Sequence, residues 1–145
     1  MRVTTKGRYA LRALANLAAT QSEKPVSIKQ IAEEEDISPE FLEQIFFRLK
    51  KAGLIRSVRG PGGGFMLAKS PEEITLQDLF LAVGEGVKLT PCSNCSKTAT
   101  FEKNGCPRIE TCTIHPIWEE VSKNVSDILT SYTLDKVLYQ KIGSV

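Results

Sequence analysis

One stretch restricts the fold more than any other: Ser38-Pro39-Glu40-Phe41-Leu42-Glu43-Gln44-Ile45-Phe46-Phe47-Arg48-Leu49-Lys50-Lys51-Ala52-Gly53, running directly into Leu54-Ile55-Arg56-Ser57-Val58-Arg59-Gly60-Pro61-Gly62-Gly63-Gly64-Phe65-Met66-Leu67. Ser38 is suited to cap a helix, and Pro39 to its first position, where the missing N–H costs nothing. Phe41, Leu42, Ile45, Phe46 and Leu49 recur at helical spacing, and Gly53 ends the run. Ile55 and Val58, then Phe65 and Leu67, flank a loop with three consecutive glycines, which predicts a tight β-hairpin with Arg56 and Arg59 beside its tip.

The preceding residues supply a partner for that helix. Ser27 stands three residues before Gln30, a capping-box spacing, and opens a short helix through Ile28, Ile31 and Ala32 that stops in Glu33-Glu34-Glu35-Asp36. Two short helices, a brief turn, then a basic hairpin predict a winged helix-turn-helix, with the second helix for the major groove and the hairpin for flanking backbone or minor groove. The expected fold is mainly α with a small β-hairpin, plus a long C-terminal dimerisation helix. Ahead of it, Thr4 and Thr5 can cap a helix carrying Leu11, Leu14, Leu17 and Ala18, with Lys6, Arg8 and Arg12 near its start to meet phosphates. Thr75 and Asp78 form a further capping box before Leu76, Leu79, Phe80 and Val83.

Charge supports a polyanion as partner. Residues 1–69 hold twelve Lys and Arg against seven Asp and Glu, whereas residues 70–145 hold seven against ten. Between Gln44 and Pro71 there is no acidic residue, but Arg48, Lys50, Lys51, Arg56, Arg59 and Lys69 all occur. Such a stripe attracts nucleic acid. The predicted DNA contacts are Thr5, Lys6, Ser38, Glu40, Phe41, Glu43, Gln44, Arg48, Lys51, Arg56, Arg59 and Gly60. Among them Gln44 can read an adenine edge, and Glu43 can accept from a cytosine amino group or be a solvated helix residue. A nucleotide-binding P-loop is excluded, because Phe65 stands where its lysine would be. Arg8 and Arg12 break the apolar run that a signal peptide needs, and no segment is apolar enough to span a bilayer, so a cytoplasmic protein is expected.

From Gly84 to Ile114 the periodicity disappears, and a long irregular loop of this kind usually has a function or is flexible. It carries Cys92, Cys95, Cys106 and Cys112, followed by His115, the only histidine of the chain. In a reducing compartment this set suggests a metal, a cluster or redox sensing more than disulfides. Spacing alone leaves zinc and iron–sulfur both open. Helical spacing resumes from Pro116 through Ile117, Val121, Val125, Ile128, Leu129 and Tyr132, with Trp118 at the head, and these residues are the predicted dimerisation face. Leu134, Val137 and Leu138 are expected to continue it. Residues 1–83, 84–115 and 116–145 are thus expected to be DNA-binding domain, sensor loop and dimerisation segment. No acid–base pair or oxyanion stabiliser suggests an enzyme.

Over nearly its whole length the chain resembles the IscR/NsrR/CymR family of bacterial winged-helix regulators. The likeness rests on Met1-Arg2-Val3-Thr4-Thr5-Lys6-Gly7-Arg8-Tyr9-Ala10, on Phe41-Leu42-Glu43-Gln44-Ile45, and on Val58-Arg59-Gly60-Pro61-Gly62-Gly63-Gly64-Phe65. It implies a transcription regulator that binds a palindromic promoter site on double-stranded DNA as a homodimer, with no membrane and no small-molecule substrate. It also implies an iron–sulfur cluster, of the [2Fe-2S] type, held by three cysteines and a fourth ligand, and used to sense iron–sulfur status, redox state or nitric oxide. In the IscR-like branch the fourth ligand is a histidine just past the last cysteine, a relation that Cys112 and His115 reproduce. Cys106 keeps the family's distance to Cys112. The first cysteine would be expected near Thr100, where this chain instead offers Cys92 and Cys95 earlier on. Arg8 occupies the position where the NsrR-like branch has a ligating carboxylate. The alternative is a DNA-binding protein with a structural zinc or a thiol redox switch in the same loop.

Overall fold

The computed structural model describes residues 1–20, 24–90 and 108–143, so Cys92, Cys95 and Cys106 lie outside the described residues. Among the described residues, six helices and one hairpin follow in the order α1 (Thr5–Ala19), α2 (Ile28–Glu35), α3 (Pro39–Lys51), β1 (Ile55–Val58), β2 (Gly64–Leu67), a single 3-10 turn (Pro71–Glu73), α4 (Leu76–Ala82), α5 (His115–Ser131) and α6 (Leu134–Gly143). The winged helix-turn-helix read from the sequence is the observed architecture.

Local chemistry sets most of the boundaries. The side chains of Thr4, Ser27, Ser38 and Thr75 each accept a backbone N–H of the first turn of α1, α2, α3 and α4. Each cap satisfies a donor that the helix leaves orphaned, worth about 1 kcal/mol apiece. Arg48, Lys50 and Lys51 fall in the last turn of α3, where they complement its dipole. Asp36 ends α2 in the left-handed conformation, φ 52°, and turns the chain toward α3.

The core is continuous. Ala10, Ala13 and Leu14 of α1, Ile31 of α2, and Leu42, Ile45, Phe46 and Leu49 of α3 are buried together with Ile55, Ile74, Leu79, Val83 and Leu134. Phe46 meets the Phe65 ring edge-on at 4.9 Å, which locks the hairpin to α3. The hairpin is antiparallel, with Ile55 opposite Leu67 and Ser57 opposite Phe65. It is pinned a second time by Val26, whose N–H and carbonyl pair with Phe65 at 3.0 and 2.8 Å. Gly64 permits this approach, since a Cβ there would lie 2.4 Å from the Val26 carbonyl oxygen.

The C-terminal helices differ from their predicted role. Leu134 is 1% exposed inside the core, and Leu138 packs against it, because Leu76 N–H donates to Tyr132 O at 2.9 Å and Leu134 N–H to Ile74 O at 2.8 Å. These bonds fold α6 back onto α1 and the 3-10 turn, so Leu134 and Leu138 are core residues and not part of an outward-facing stripe.

Candidate nucleic-acid interface and cysteine-loop site

With its apolar face sealed in the core, α3 leaves Glu40, Glu43, Gln44, Phe47, Arg48, Lys50 and Lys51 in solvent. Ser38 is exposed at its head and accepts the Phe41 N–H at 3.2 Å. Phe41 is half-buried, with its ring edge-on to Tyr9 at 5.8 Å. Beyond α3, Arg59 and Gly60 are exposed at the hairpin tip. Arg56 is exposed on β1, its Nη2 lying 3.4 Å from Met66 Sδ. At the head of α1, Thr5 is exposed and takes a bond from Arg8 Nη2 at 3.3 Å, and Lys6 is half-exposed. Arg12 is otherwise engaged: its Nε donates to Glu35 Oε2 at 3.2 Å and its guanidinium lies 5.3 Å from the Tyr9 ring centre. Of the three cations expected to meet phosphates from α1, it is the one tied into the α1–α2 contact.

α5 has two distinct faces. Ile114 just before it, then Val121 and Ile128, recur every seven residues, as do Trp118, Val125 and Tyr132. All except half-buried Val125 are exposed, with Ile117 beside them. The other face follows the same period: His115 and Ser122 are buried, and Leu129 packs against the core. Leu129 therefore faces its own domain, while the remaining predicted dimerisation residues form an outward apolar stripe.

His115 is the first residue of α5 and is 5% exposed. Glu119 Oε1 lies 3.3 Å from its Nε2, while Nδ1 is buried with no hydrogen-bond partner among the described residues. An unmatched buried imidazole nitrogen is costly unless something takes its lone pair. Three residues before it stands Cys112, half-buried and with no disulfide partner among the described residues. A soft sulfur donor three residues before a buried imidazole nitrogen is a donor set of the kind that transition-metal and iron–sulfur sites use. Among the described residues no group of three or more His, Cys, Asp or Glu is placed to hold a metal by itself. Cys92, Cys95 and Cys106, the other candidate ligands, lie outside the described residues.

Three residues of these sites escaped the sequence reading. Glu119, four residues after His115, was accessible as an i,i+4 pair. Phe47 was read only as part of the helix, though it is 70% exposed. Glu85 contacts Thr4 across 81 positions, a pairing that nothing local announces.

Comparison with known proteins agrees with this architecture. The family described as "Rrf2: Iron-dependent Transcriptional regulator" matches residues 3–140. The chain is 40% identical over 141 residues to the HTH-type transcriptional regulator IscR of Pectobacterium carotovorum subsp. carotovorum, covering 97% of this chain and 81% of that protein. Among solved structures, IscR of T. potens superposes with a TM-score of 0.71 at 33% identity, covering 97% of this chain and 88% of that one. CymR, the global cysteine regulator of B. subtilis, does so with 0.72 at 28% identity, covering 97% and 98%.

Proposed function

This chain belongs to the Rrf2 family of transcriptional regulators, and from that premise we propose that it acts as a homodimer whose affinity for a palindromic promoter site is set by an iron–sulfur cluster at the cysteine loop. Its relatives are transcription regulators and not enzymes. The observation that carries the DNA-binding part is the division of α3, with one face wholly buried and the other holding Glu40, Glu43, Gln44, Arg48 and Lys51 in solvent.

The Gln44 amide can accept and donate at once, which matches the N6 and N7 positions of adenine. Glu43 offers an acceptor to a cytosine amino group, while Ser38, Arg48 and Lys51 hold phosphates on either side. Arg56, Arg59 and Gly60 would bring the wing to the flanking backbone or minor groove, and Thr5 and Lys6 add backbone contacts. The apolar stripe of Trp118, Val121, Val125, Ile128 and Tyr132 suits pairing of α5 with its copy, which would set two α3 helices about one DNA turn apart.

Cys106, Cys112, His115 and one of Cys92 and Cys95 would hold the cluster. When bound it supplies an iron centre that responds to redox state and nitric oxide. The chain's own part is positional. Cys112 and His115 stand at the head of α5, so closing the loop on them fixes where the dimer helix begins and thereby the angle between the two α3 helices.

Selection of the protein against random duplexes tests the reading. Enrichment of a twofold-symmetric site with half-sites one helical turn apart is expected. Failure to enrich any sequence, or an asymmetric site bound by a single chain, contradicts it.

A further inference from the structure

The exposed face of α3 carries one large apolar side chain. Phe47 is 70% exposed, whereas Phe46 before it fills the core at 1%. Glu40, Gln44, Phe47 and Lys51 follow at intervals of four, three and four residues, which lays them along one stripe opposite Leu42, Ile45, Phe46 and Leu49. The ring is therefore at the centre of the exposed face, not at its margin. Its one flank is apolar: Leu81 of α4, 57% exposed, lines the same shallow groove together with Arg48, Lys51, Ala52 and Ala82.

Arg48 and Lys51 beside the ring favour an anionic occupant over an apolar protein surface, which would leave both cations desolvated. The occupant must also offer something apolar at the depth of the ring. In the major groove of duplex DNA that feature is the C5-methyl group of thymine, the one apolar group among the base edges. Phe47 stands three residues past Gln44, about 4.5 Å along the helix axis, which is between one and two base-pair steps of about 3.4 Å.

We propose that Phe47 is a specificity-determining residue that covers the methyl group of a thymine in the base pair neighbouring the one read by Gln44. This rests on the DNA-binding reading, and adds to it a preference that no hydrogen bond supplies. Replacing a thymine by deoxyuridine removes only the methyl group, so the contact can be tested without altering base pairing or phosphates.

The experiment uses the full chain and a duplex that the wild-type protein has enriched from a random pool, with each thymine of a half-site replaced in turn by deoxyuridine. The wild type should lose about fourfold in affinity at one position in each half-site, the effect of one methyl group. Phe47→Ala should bind the thymine and deoxyuridine duplexes equally at that position, Phe47→Leu should keep part of the preference, and Leu81→Ala should keep all of it. Wild-type and Phe47→Ala proteins with the same thymine preference at every position would overturn the assignment, as would a wild type indifferent to every replacement. If the wild type enriches no duplex, the DNA-binding reading itself falls, a result distinct from either.

Discussion

Glu85 grips Thr4 with both carboxylate oxygens: the Thr4 backbone N–H donates to Oε2 at 3.2 Å, and the Thr4 hydroxyl donates to Oε1. The same Thr4 oxygen accepts the Lys6 N–H at 3.2 Å and so caps α1. A run of hydrogen bonds thus leads from the segment just after α4, where the chain departs for the cysteine loop, to the backbone of Lys6. The N-terminal ammonium reinforces it by donating to Lys88 O at 2.7 Å.

Gly7 makes room for that carboxylate. A Cβ at position 7 would stand 2.3 Å from Glu85 Oε2 and 3.0 Å from the Phe80 ring. Ala gains about 1 kcal/mol of helix propensity over Gly within α1, but it displaces the Glu85 carboxylate from Thr4 and crowds Phe80, so Gly7→Ala should be net destabilising by up to about 2 kcal/mol in urea unfolding. In a Glu85→Ala background the same change should cost less, giving a coupling of at least about 0.5 kcal/mol. Equal costs in both backgrounds would mean that Glu85 is not what the glycine accommodates.

The outward stripe of α5 and the inward α6 should separate cleanly. Val121→Glu or Ile128→Glu should yield a monomer by analytical ultracentrifugation while the helical signal persists, since both residues are exposed in the single chain. Leu134→Ala should instead cost about 2–5 kcal/mol of fold stability, as for other large-to-small changes in a packed core. Tyr139→Ala, at an 80% exposed position, should change stability by less than about 0.5 kcal/mol.

How far the sequence was legible follows the range of each interaction. Ser27, Ser38 and Thr75 cap their helices through bonds that reach only three residues ahead, so the pattern of residue types was enough. The wing was legible because the glycines that its turn needs are local as well. Periodicity could not tell which partner covers an apolar face: Leu129, Leu134 and Leu138 have the right spacing for a dimer seam, yet they face their own domain. Arg12 looked available for phosphates until folding brought Glu35 to it. The Thr4–Glu85 contact, and the burial of His115 with Nδ1 unmatched among the described residues, are tertiary facts that the one-dimensional pattern does not contain.

Acid should loosen the α1–α2 contact. Asn16 Nδ2 donates to Glu34 Oε2 at 2.7 Å and Gln30 Nε2 to Oε1 at 2.9 Å. These bonds, Asn16 first, hold the Glu34 carboxyl below its ordinary pKa, more than offsetting a small opposing effect of burial. A depressed carboxylate stabilises the fold above its unfolded-state pKa, and that contribution fades as pH falls through the folded-state value. Asn16→Ala should move the Glu34 titration back up in carbon-detected NMR, and the stability gap between wild type and variant should narrow on acidification. An unmoved titration would assign the shift to Gln30.

If the loop ending at Cys112 and His115 controls how the exposed face of α3 is used, the affinity of anaerobically purified protein for its enriched duplex should change when iron and sulfide are removed, and Cys112→Ser should abolish the change. The account predicts visible absorbance with stoichiometric iron and sulfide in the wild type, and loaded and stripped forms that differ at least about fivefold in affinity. Cys112→Ser should be colourless and show one affinity throughout. A wild type that binds the duplex equally well loaded and stripped, or that carries zinc and no sulfide, would contradict it.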